Sequence, residues 1–493
     1  MKNPCYGDQD PIAALATVPG RSALAVIRTS GTAGEKNGSP DSAAASCIDL
    51  AASVFSRPVK LKNAPGNSVV HGWILDPSSK KKIDEVVLAV YRAPASHTGE
   101  DSVEIFCHGG IAAVKAIMSV LKTSGFREAL PGEFTFRSFM NGKTDLTRAE
   151  SVMELVSAQT GRGREQAVRR LSGVLEKEIN GIKNMLVTVL AGTEIYLDYS
   201  EDEFSGAVND ETAGRLPEKE LARSAVSALK HLSDLWRHER IYAEGILAVF
   251  AGRPNAGKSS LFNYLVREDR SIVTDTPGTT RDWIEALVSV EDIPLRLADT
   301  AGLRSPDSGN NEAENIGIQR SLELLKKADL ILYVIDEVQG ITEEDRNFIS
   351  GCLHKPLLVI WNKTDLAEPP SRIEEHFSAV QAVSAKTGEG IPLLLHSIAS
   401  LAEASAGVPA AAPALIFESD ETAAGPGTSR QKELIDTALA CAEEALALSD
   451  REETLDIIAP LFRSAVDALG EITGEVSSAD VLDAMFSRFC VGK

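Results

Sequence analysis

Lys258 and Ser259 close the run Gly252-Arg253-Pro254-Asn255-Ala256-Gly257-Lys258-Ser259, a spacing whose chemistry is phosphate binding. Gly252 and Gly257 let the backbone curl so that successive N–H groups point inward. A lysine at that place reaches the outer phosphates, and a serine hydroxyl beside it ligates Mg²⁺. The apolar run Gly245-Ile246-Leu247-Ala248-Val249-Phe250 precedes the loop. Ser260-Leu261-Phe262-Asn263-Tyr264-Leu265 follows it, with Leu261, Phe262 and Leu265 on one helical face. Strand, glycine-rich turn and helix form the context that raises a short match above chance. The helix adds its positive N-terminal end.

Three further elements follow in order. Asp299-Thr300-Ala301-Gly302 ends the strand-like Leu295-Arg296-Leu297-Ala298; Asp299 suits the Mg²⁺ shell, and the Gly302 N–H suits a γ-phosphate sensor. Asn362-Lys363-Thr364-Asp365 ends the run at Trp361. A carboxylate there accepts hydrogen bonds from guanine N1–H and the 2-amino group, donors that adenine lacks. Ser384-Ala385-Lys386 follows, where backbone can meet the guanine oxygen. The order points to a guanine-nucleotide hydrolase and disfavours an adenine one.

Two departures narrow the type. Leu303 follows Gly302, where Ras-like enzymes carry the Gln that orients the attacking water; leucine cannot do this, so another polar group must. Asn255 lies inside the phosphate loop, and Thr274-Asp275-Thr276-Pro277-Gly278-Thr279-Thr280-Arg281-Asp282 reads as a switch. Asn255 either braces the loop by hydrogen bonds or joins loop carbonyls in a cage for a monovalent cation such as potassium.

These residues need a parallel sheet to hold them. From about 244 to 401 the pattern alternates strands and helices, as in a doubly wound sheet. The runs Ala328 to Asp336 and Pro356 to Trp361 are near-continuously apolar, like strands buried on both faces. Residues 1 to about 143 read as an α/β unit, with strand-like Ala23 to Arg28, Glu85 to Tyr91 and Val103 to Phe106, and a helix from Ile111 to Leu121. Residues 30–46 read as a surface insertion and Lys80-Lys81-Lys82 as a solvated turn. From about 144 to 243 the period is helical, through Leu171, Val174, Leu175, Ile179, Ile182, Leu186 and Val189. Arg162, Arg164, Arg169 and Arg170 read as an exposed helix face, with RNA contact as the second reading. Residues 402–414 and 420–429 read as linker, and helix resumes at Gln431. The arrangement expected is one helical domain, 144–243 and 402–493, with the α/β block inserted at a linker tip.

The chain has 493 residues, room for about three domains. No apolar run approaches the ~18–20 residues of a membrane span, and the N-terminus carries no signal-peptide core. Six scattered cysteines lack C-x-x-C spacing, which argues against zinc and disulfides and fits a reducing cytoplasm. The formal net charge of −21 repels bulk nucleic acid, so action on RNA needs a local basic patch or a basic partner.

With these motifs the chain resembles the MnmE (TrmE) family of tRNA-modification GTPases over nearly its whole length. The resemblance also rests on Thr17-Val18-Pro19-Gly20-Arg21, Thr98-Gly99-Glu100-Asp101, His108-Gly109-Gly110, Pro131-Gly132-Glu133-Phe134, Glu471-Ile472-Thr473-Gly474-Glu475 and the terminal Phe489-Cys490-Val491-Gly492-Lys493. It implies a homodimer with an N-terminal folate-binding domain, a helical domain and an inserted P-loop (Ras-like) G domain. It also implies a flavin (FAD) partner of the MnmG (GidA) type, and together they modify carbon 5 of the tRNA wobble uridine. The added group is aminomethyl or carboxymethylaminomethyl, with its one-carbon unit from a tetrahydrofolate in 5-formyl or 5,10-methylene form. By position, the potassium ligands fall on Asn255, Thr274, Thr276 and Thr279, and the Mg²⁺ ligands on Ser259 and Thr280. The water-orienting residue falls on Glu314, with Glu312 as rival. Folate contacts fall on Arg28, Glu104, Lys143 and Lys493. Cys490 reads either as a small packed residue shaping the site or as a thiol with a part in the chemistry. His108 reads as a loop brace.

The competing expectation is a ribosome-assembly or signalling GTPase, since related G domains share Asn255 and Gly278-Thr279-Thr280. The outer domains and the Cys490-Val491-Gly492-Lys493 tail separate the two.

Overall fold

The computed structural model describes residue 6 and residues 10–31, 45–198, 216, 218–267, 285–299, 322–352, 354–367, 379–405, 424–476, 479–487 and 489–492. It divides into two compact units. The first holds Met1–Ala149 with Gly470–Lys493, the second Glu150–Leu469.

In the first unit, six strands form one sheet in the order β3-β4-β5-β2-β1-β6. They are β1 (Ile12–Leu15), β2 (Leu24–Ser30), β3 (Ser68–Leu75), β4 (Lys82–Tyr91), β5 (Ser102–His108) and β6 (Arg127–Glu128). All pairings are antiparallel except β1 with β6. Alternation sets the faces: Ala25 and Ile27, Val86 and Leu88, Val103 and Ile105 turn inward. They pack on Ile48 and Ala51 of α1 (Cys47–Ser53), Leu61 of α2 (Pro58–Lys62) and Ile117 and Leu121 of α3 (Ile111–Thr123). The three expected strands are present but longer, whereas β1, β3 and β6 had not stood out. β1 has four residues and β6 two. In β3 the side-chain alternation is interrupted at Gly72, where a Cβ would lie 2.4 Å from the Phe55 ring. The expected lysine turn holds at Lys80, where Asp76 accepts the N–H groups of Ser78 and Ser79 and Lys80 takes φ +56°, but Lys82 already begins β4, its ammonium 4.2 Å from the Trp73 ring centroid. Helices α4 (Glu133–Met140) and α5 (Leu146–Ser157) follow. The sharp entry to α4 needs Gly132 at φ +68°, because a Cβ there would sit 2.6 Å from Phe486 O.

The second unit pairs a helical group with a second six-stranded sheet. Helices α6 (Gly161–Leu171), α7 (Val174–Asp198) and α8 (Lys219–Ala243) are joined by α12 (Ser429–Asp450). The helical spacing expected from Leu175 to Val189 is the buried stripe of α7. The sheet runs β12-β11-β10-β7-β9-β8, from β7 (Ile246–Ala251), β8 (Glu285–Val290), β9 (Ile293–Asp299), β10 (Leu330–Asp336), β11 (Leu357–Asn362) and β12 (Val380–Val383). Only β8 is antiparallel to its neighbour among these pairs. Helices α9 (Lys258–Arg267), α10 (Glu343–Cys352) and α11 (Ile391–Ser405) cover it. Every residue of β7, β10 and β11 is buried, as the unbroken apolar runs require. Of the two remaining helices, α13 (Leu455–Thr473) begins in the second unit and α14 (Ala479–Phe486) belongs to the first.

Two sequence expectations need correction here. Arg170 is not on an exposed face: it is 1% exposed, with Nε 2.7 Å from Glu154 and Nη1 2.7 Å from Glu239. Arg162 is also engaged, its Nη1 donating to the Tyr242 hydroxyl at 2.6 Å, whereas Arg164 is exposed. A guanidinium on an amphipathic helix can face inward when carboxylates from neighbouring helices meet it, and those partners are 16 and 69 residues away. The alanine-rich stretch from 402 is also helical to Ser405. Residues 406–423 lie outside the described residues. Helix α12 starts at Ser429, where the Thr428 hydroxyl accepts the Gln431 N–H.

Candidate functional site

The phosphate loop leaves β7 at its carboxyl end and enters α9 at Lys258. Three positive φ values make its curl: Gly252 at +131°, Asn255 at +64° and Gly257 at +97°. Side chains are also excluded by space. A Cβ on Gly252 would lie 2.3 Å from Val334 O, and one on Gly257 2.0 Å from Asn362 Nδ2. Lys258 is buried and donates to the carbonyls of Gly252 and Arg253 at 2.9 and 2.7 Å. This holds its ammonium over the loop. Arg253 is itself held, 3.2 Å from Asp345 and donating to Gly340 O at 2.8 Å.

Ser259 Oγ donates to Asp299 Oδ2 at 2.7 Å. The serine opens α9 and the aspartate ends β9, so β7–β9 pairing brings residues 40 apart into contact. A hydroxyl and a buried carboxylate are hard oxygen donors of the kind Mg²⁺ takes. Asp299 is 4% exposed.

Asn362, at the end of β11, ties three segments. Its Nδ2 donates to Ala256 O at 2.9 Å, and its Oδ1 accepts the Ala385 N–H at 3.1 Å. Lys363 Nζ donates to Asn255 O at 2.9 Å and to Asp336 Oδ2 at 2.6 Å. Asp365 accepts the Ser384 hydroxyl at 2.7 Å, with Lys386 Nζ 3.9 Å away. Between these groups and α9 lies a cavity of about 820 Å³, large enough for a nucleotide. Gly257, Ser260, Asn362, Lys363, Asp365, Ala385 and Lys386 line it, and hydrogen bonds or adjacency in the chain tie Asn255, Ala256, Lys258, Ser259, Asp299 and Ser384 to that wall.

The remaining nucleotide and cation positions, Thr274, Asp275, Thr276, Pro277, Gly278, Thr279, Thr280, Thr300, Ala301 and Gly302, lie outside the described residues, as do Leu303, Glu312, Glu314 and Lys493.

Sequence reasoning missed Asp336, Arg253 with Asp345, and the cavity wall of α9. Asp336 had a signal: a carboxylate ending an apolar strand, one strand away from Lys363. Asn263, Tyr264 and Arg267 follow Ser260 at helical spacing and line the cavity with it. Tyr264 abuts the loop after β12, where a Cβ on Gly388 would lie 2.4 Å from its hydroxyl. No spacing rule marks such a wall.

In the first unit, β2–β5 pairing sets Arg28 opposite Glu104, and Arg28 Nε donates to Glu104 at 2.9 Å. Arg28 Nη1 also donates to Gly492 O at 3.2 Å, which brings the terminal stretch to the sheet. Burial, then the Glu104 charge, pushes the Tyr91 phenol up. Lys143 Nζ donates to Pro94 O at 3.0 Å. Cys490 is exposed and its carbonyl accepts the Gly132 N–H at 3.3 Å. His108 braces its loop as expected: Nδ1 lies 2.6 Å from Asp84 Oδ1, and its N–H donates to Asp84 Oδ2 at 2.9 Å. No helix among the described residues is long and apolar enough to cross a membrane.

Known proteins agree with this layout. A family model described as the MnmE helical domain matches residues 146–490, and one described as the GTP-binding protein TrmE N-terminus matches residues 11–143. The tRNA modification GTPase MnmE of Treponema denticola is 42% identical over 500 residues, 99% of each chain. Proteins of the same name from Borreliella afzelii and Treponema pallidum are 40% and 38% identical over 98% and 99% of each chain. Among solved structures, the G domain of the T. maritima FeoB iron transporter covers 32% of this chain and 98% of its own at 27% identity, with a TM-score of 0.25; so low a score adds nothing to the placement. Two family models that together span residues 11–490, and relatives alike from end to end, leave one conclusion: the chain belongs to the MnmE family of tRNA modification GTPases.

Proposed function

We propose that this chain is a GTP hydrolase of tRNA wobble-uridine modification, activated by potassium and working with a flavin-containing partner. The observation that carries the hydrolase reading is the junction of the phosphate loop with Asn362–Asp365 at one cavity, beside the Ser259–Asp299 pair. The end-to-end likeness to tRNA modification GTPases carries the rest.

The phosphate loop N–H groups and Lys258 bind and orient the phosphates. Asp365 accepts the guanine N1–H and 2-amino donors, while the Ala385 N–H, which donates to Asn362 Oδ1 at 3.1 Å, would be shared with the guanine oxygen. Ser259, Asp299 and Thr280 would hold Mg²⁺, which when bound neutralises developing phosphate charge. Ser259 and Asp299 fit it by their 2.7 Å approach. Asn255, Thr274, Thr276 and Thr279 would hold potassium, supplying the positive charge that an arginine finger gives elsewhere. Its left-handed backbone suits Asn255 to a tight cage. Glu314 would orient the attacking water in place of Leu303. Two G domains meeting across a homodimer would order these switch residues.

Arg28 and Glu104, with Lys143 and Lys493, would take the tetrahydrofolate. The Arg28–Glu104 pair at 2.9 Å offers a donor fork and a carboxylate, which suit the glutamate tail and the pterin edge. Cys490 stands two residues before Gly492, whose carbonyl Arg28 Nη1 reaches, and we assign it to shaping the site. The scattered free cysteines suit a reducing cytoplasm. At a net charge of −21, much of the tRNA-holding surface belongs to the flavoprotein partner.

The purified chain tests the hydrolase reading. GTP turnover should be far faster in K⁺ than in Na⁺, and equal turnover rejects the potassium site. Asp365→Asn should lose GTP and gain xanthosine triphosphate, whose 2-oxo group accepts from the new amide. Glu314→Ala should bind GTP normally and hydrolyse it slowly.

A further inference from the structure

Tyr264 stands within α9 and lines the nucleotide cavity. It is half-buried and packs on the core cluster that also holds Leu261 and Leu265 of its own helix and Val383 at the end of β12. Its phenol meets the turn that follows β12: a Cβ on Gly388 would lie 2.4 Å from the Tyr264 hydroxyl oxygen and 3.2 Å from Cζ. Gly388 takes φ +83°, so the turn presents bare backbone to the hydroxyl. Lys258 opens the same helix six positions earlier, about 9 Å along the axis at the usual helical rise. One helix thus carries both the phosphate lysine and the side chain that meets this turn.

The turn is the one that carries Ala385, and it is closed on itself. The Gly388 N–H donates to Ser384 O at 2.9 Å and the Ser384 N–H to Glu389 O at 3.0 Å. The Thr387 N–H donates to Ser384 Oγ at 3.2 Å. From the β11 side it is held by Asp365, which accepts the Ser384 hydroxyl, and by Asn362, which accepts the Ala385 N–H. From the α9 side Tyr264 meets it at Gly388. The Gly388–Ser384 bond passes that contact to the residue before Ala385. A lone amide reads a ligand oxygen only when it is held in line, because hydrogen bonds weaken steeply with angle. A tyrosine suits such a strut: its ring is rigid and anchored in apolar surroundings, and its polar tip can meet backbone.

We propose that Tyr264 is a specificity-determining residue: its hydroxyl props the Ser384–Gly388 turn so that the Ala385 N–H is presented to the oxygen at carbon 6 of the bound guanine. This rests on the guanine-nucleotide reading of the cavity. Tyr264 acts through the turn and is a positioning residue. Without its hydroxyl the turn keeps its own bonds and its ties to Asp365 and Asn362, but loses its support from α9, and the amide drifts off the line to the oxygen.

Calorimetric titration of the full chain with GDP and with 6-thio-GDP tests it, as wild type, Tyr264→Phe and Tyr264→Ala. The analogue keeps the N1–H and 2-amino donors for Asp365 and replaces the oxygen by sulfur, a weaker acceptor. Wild type should prefer GDP about tenfold, the scale of one hydrogen bond. Both variants should bind GDP more weakly and 6-thio-GDP much as wild type does, so that the preference falls below about threefold. A variant that keeps the wild-type preference overturns the proposal. So does equal weakening of both nucleotides, the mark of a damaged wall rather than a misplaced amide, and so does a wild type with no preference. Tyr264→Phe keeps the ring in the core, and matching circular dichroism controls for folding. If the wild-type chain bound neither nucleotide, the guanine reading of the cavity would fall, and the role of Tyr264 with it; if it preferred GDP and Tyr264→Phe did equally, only the role of Tyr264 would.

Discussion

The buried Tyr242 hydroxyl donates to Glu403 Oε1 at 2.7 Å. Tyr242 stands one residue before the end of α8, just ahead of β7, and Glu403 lies in the last turn of α11. The bond therefore joins the points where the chain enters and leaves the nucleotide-binding block. Arg162 of α6 adds a third arm: its guanidinium lies 4.9 Å from the Tyr242 ring centroid and 3.7 Å from Glu403. Burial, then the hydrogen bond to the Glu403 carboxylate, pushes the Tyr242 phenol up. It stays a donor at every working pH.

Tyr242→Phe keeps the ring and removes the donor. Leaving a half-buried carboxylate short of a partner costs about 1–2 kcal/mol. The thermal midpoint should fall by a few degrees, and an unchanged midpoint would mean that water replaces the hydroxyl without loss.

Asp345 is the brace behind the phosphate loop. Burial alone would raise its carboxyl. The Tyr333 and Thr342 hydroxyls, the Thr342 N–H and Arg253 together hold it below its ordinary value of 3.8. A carboxyl held low in the folded chain contributes stability above its unfolded pKa, and that contribution fades as pH falls through the folded one. Asp345→Asn should lower the thermal midpoint at pH 7, and the gap to wild type should narrow below pH 3.8. A gap independent of pH would contradict the charge-based account. GTP affinity should also drop, since Arg253 loses its anchor.

Gly257→Ala should fold and bind nucleotide badly. The new Cβ meets Asn362 Nδ2 at 2.0 Å, at φ +97°. Either the loop or Asn362 must move, and both shape the cavity. We expect a rise in GDP Kd of at least tenfold by calorimetry. Wild-type affinity would mean that the Gly257–Asn362 contact is dispensable.

The motifs were legible because each sits at the carboxyl end of a strand, two of them, β7 and β11, with unbroken buried apolar runs, and backbone geometry does most of their work. Asp299 and Ser259 could be paired from order alone. The packing partners of charged side chains could not. Arg170 looked like a surface base, and only the approach of α8 turns it inward to Glu239. Asp336 likewise acquires its meaning from Lys363, distant in sequence. Residues of the switch, where Glu314 falls, are outside the described residues, so their roles rest on the family resemblance.

The Arg170 cluster makes its own prediction. Arg170 is 1% exposed between Glu154 and Glu239, and it donates to Gly425 O at 3.3 Å, so it ties α6 to the segment that starts α12. Burial pushes the Glu154 carboxyl up despite its arginine. Removing the cation leaves buried carboxylates unpaired, which costs about 3–5 kcal/mol. Arg170→Ala should therefore lower the midpoint by well over what Arg164→Ala does, Arg164 being exposed. Equal, small effects from both would put Arg170 back on the surface.

The central claim is that GTP turnover at this site serves a change at carbon 5 of the wobble uridine. Nucleoside analysis of tRNA from cells lacking the chain, then supplied with wild type or Asp365→Asn, tests it most directly. The account predicts that the C5-modified uridine disappears, returns with wild type, and does not return with Asp365→Asn. Intact modified uridine in the cells lacking the chain would contradict it.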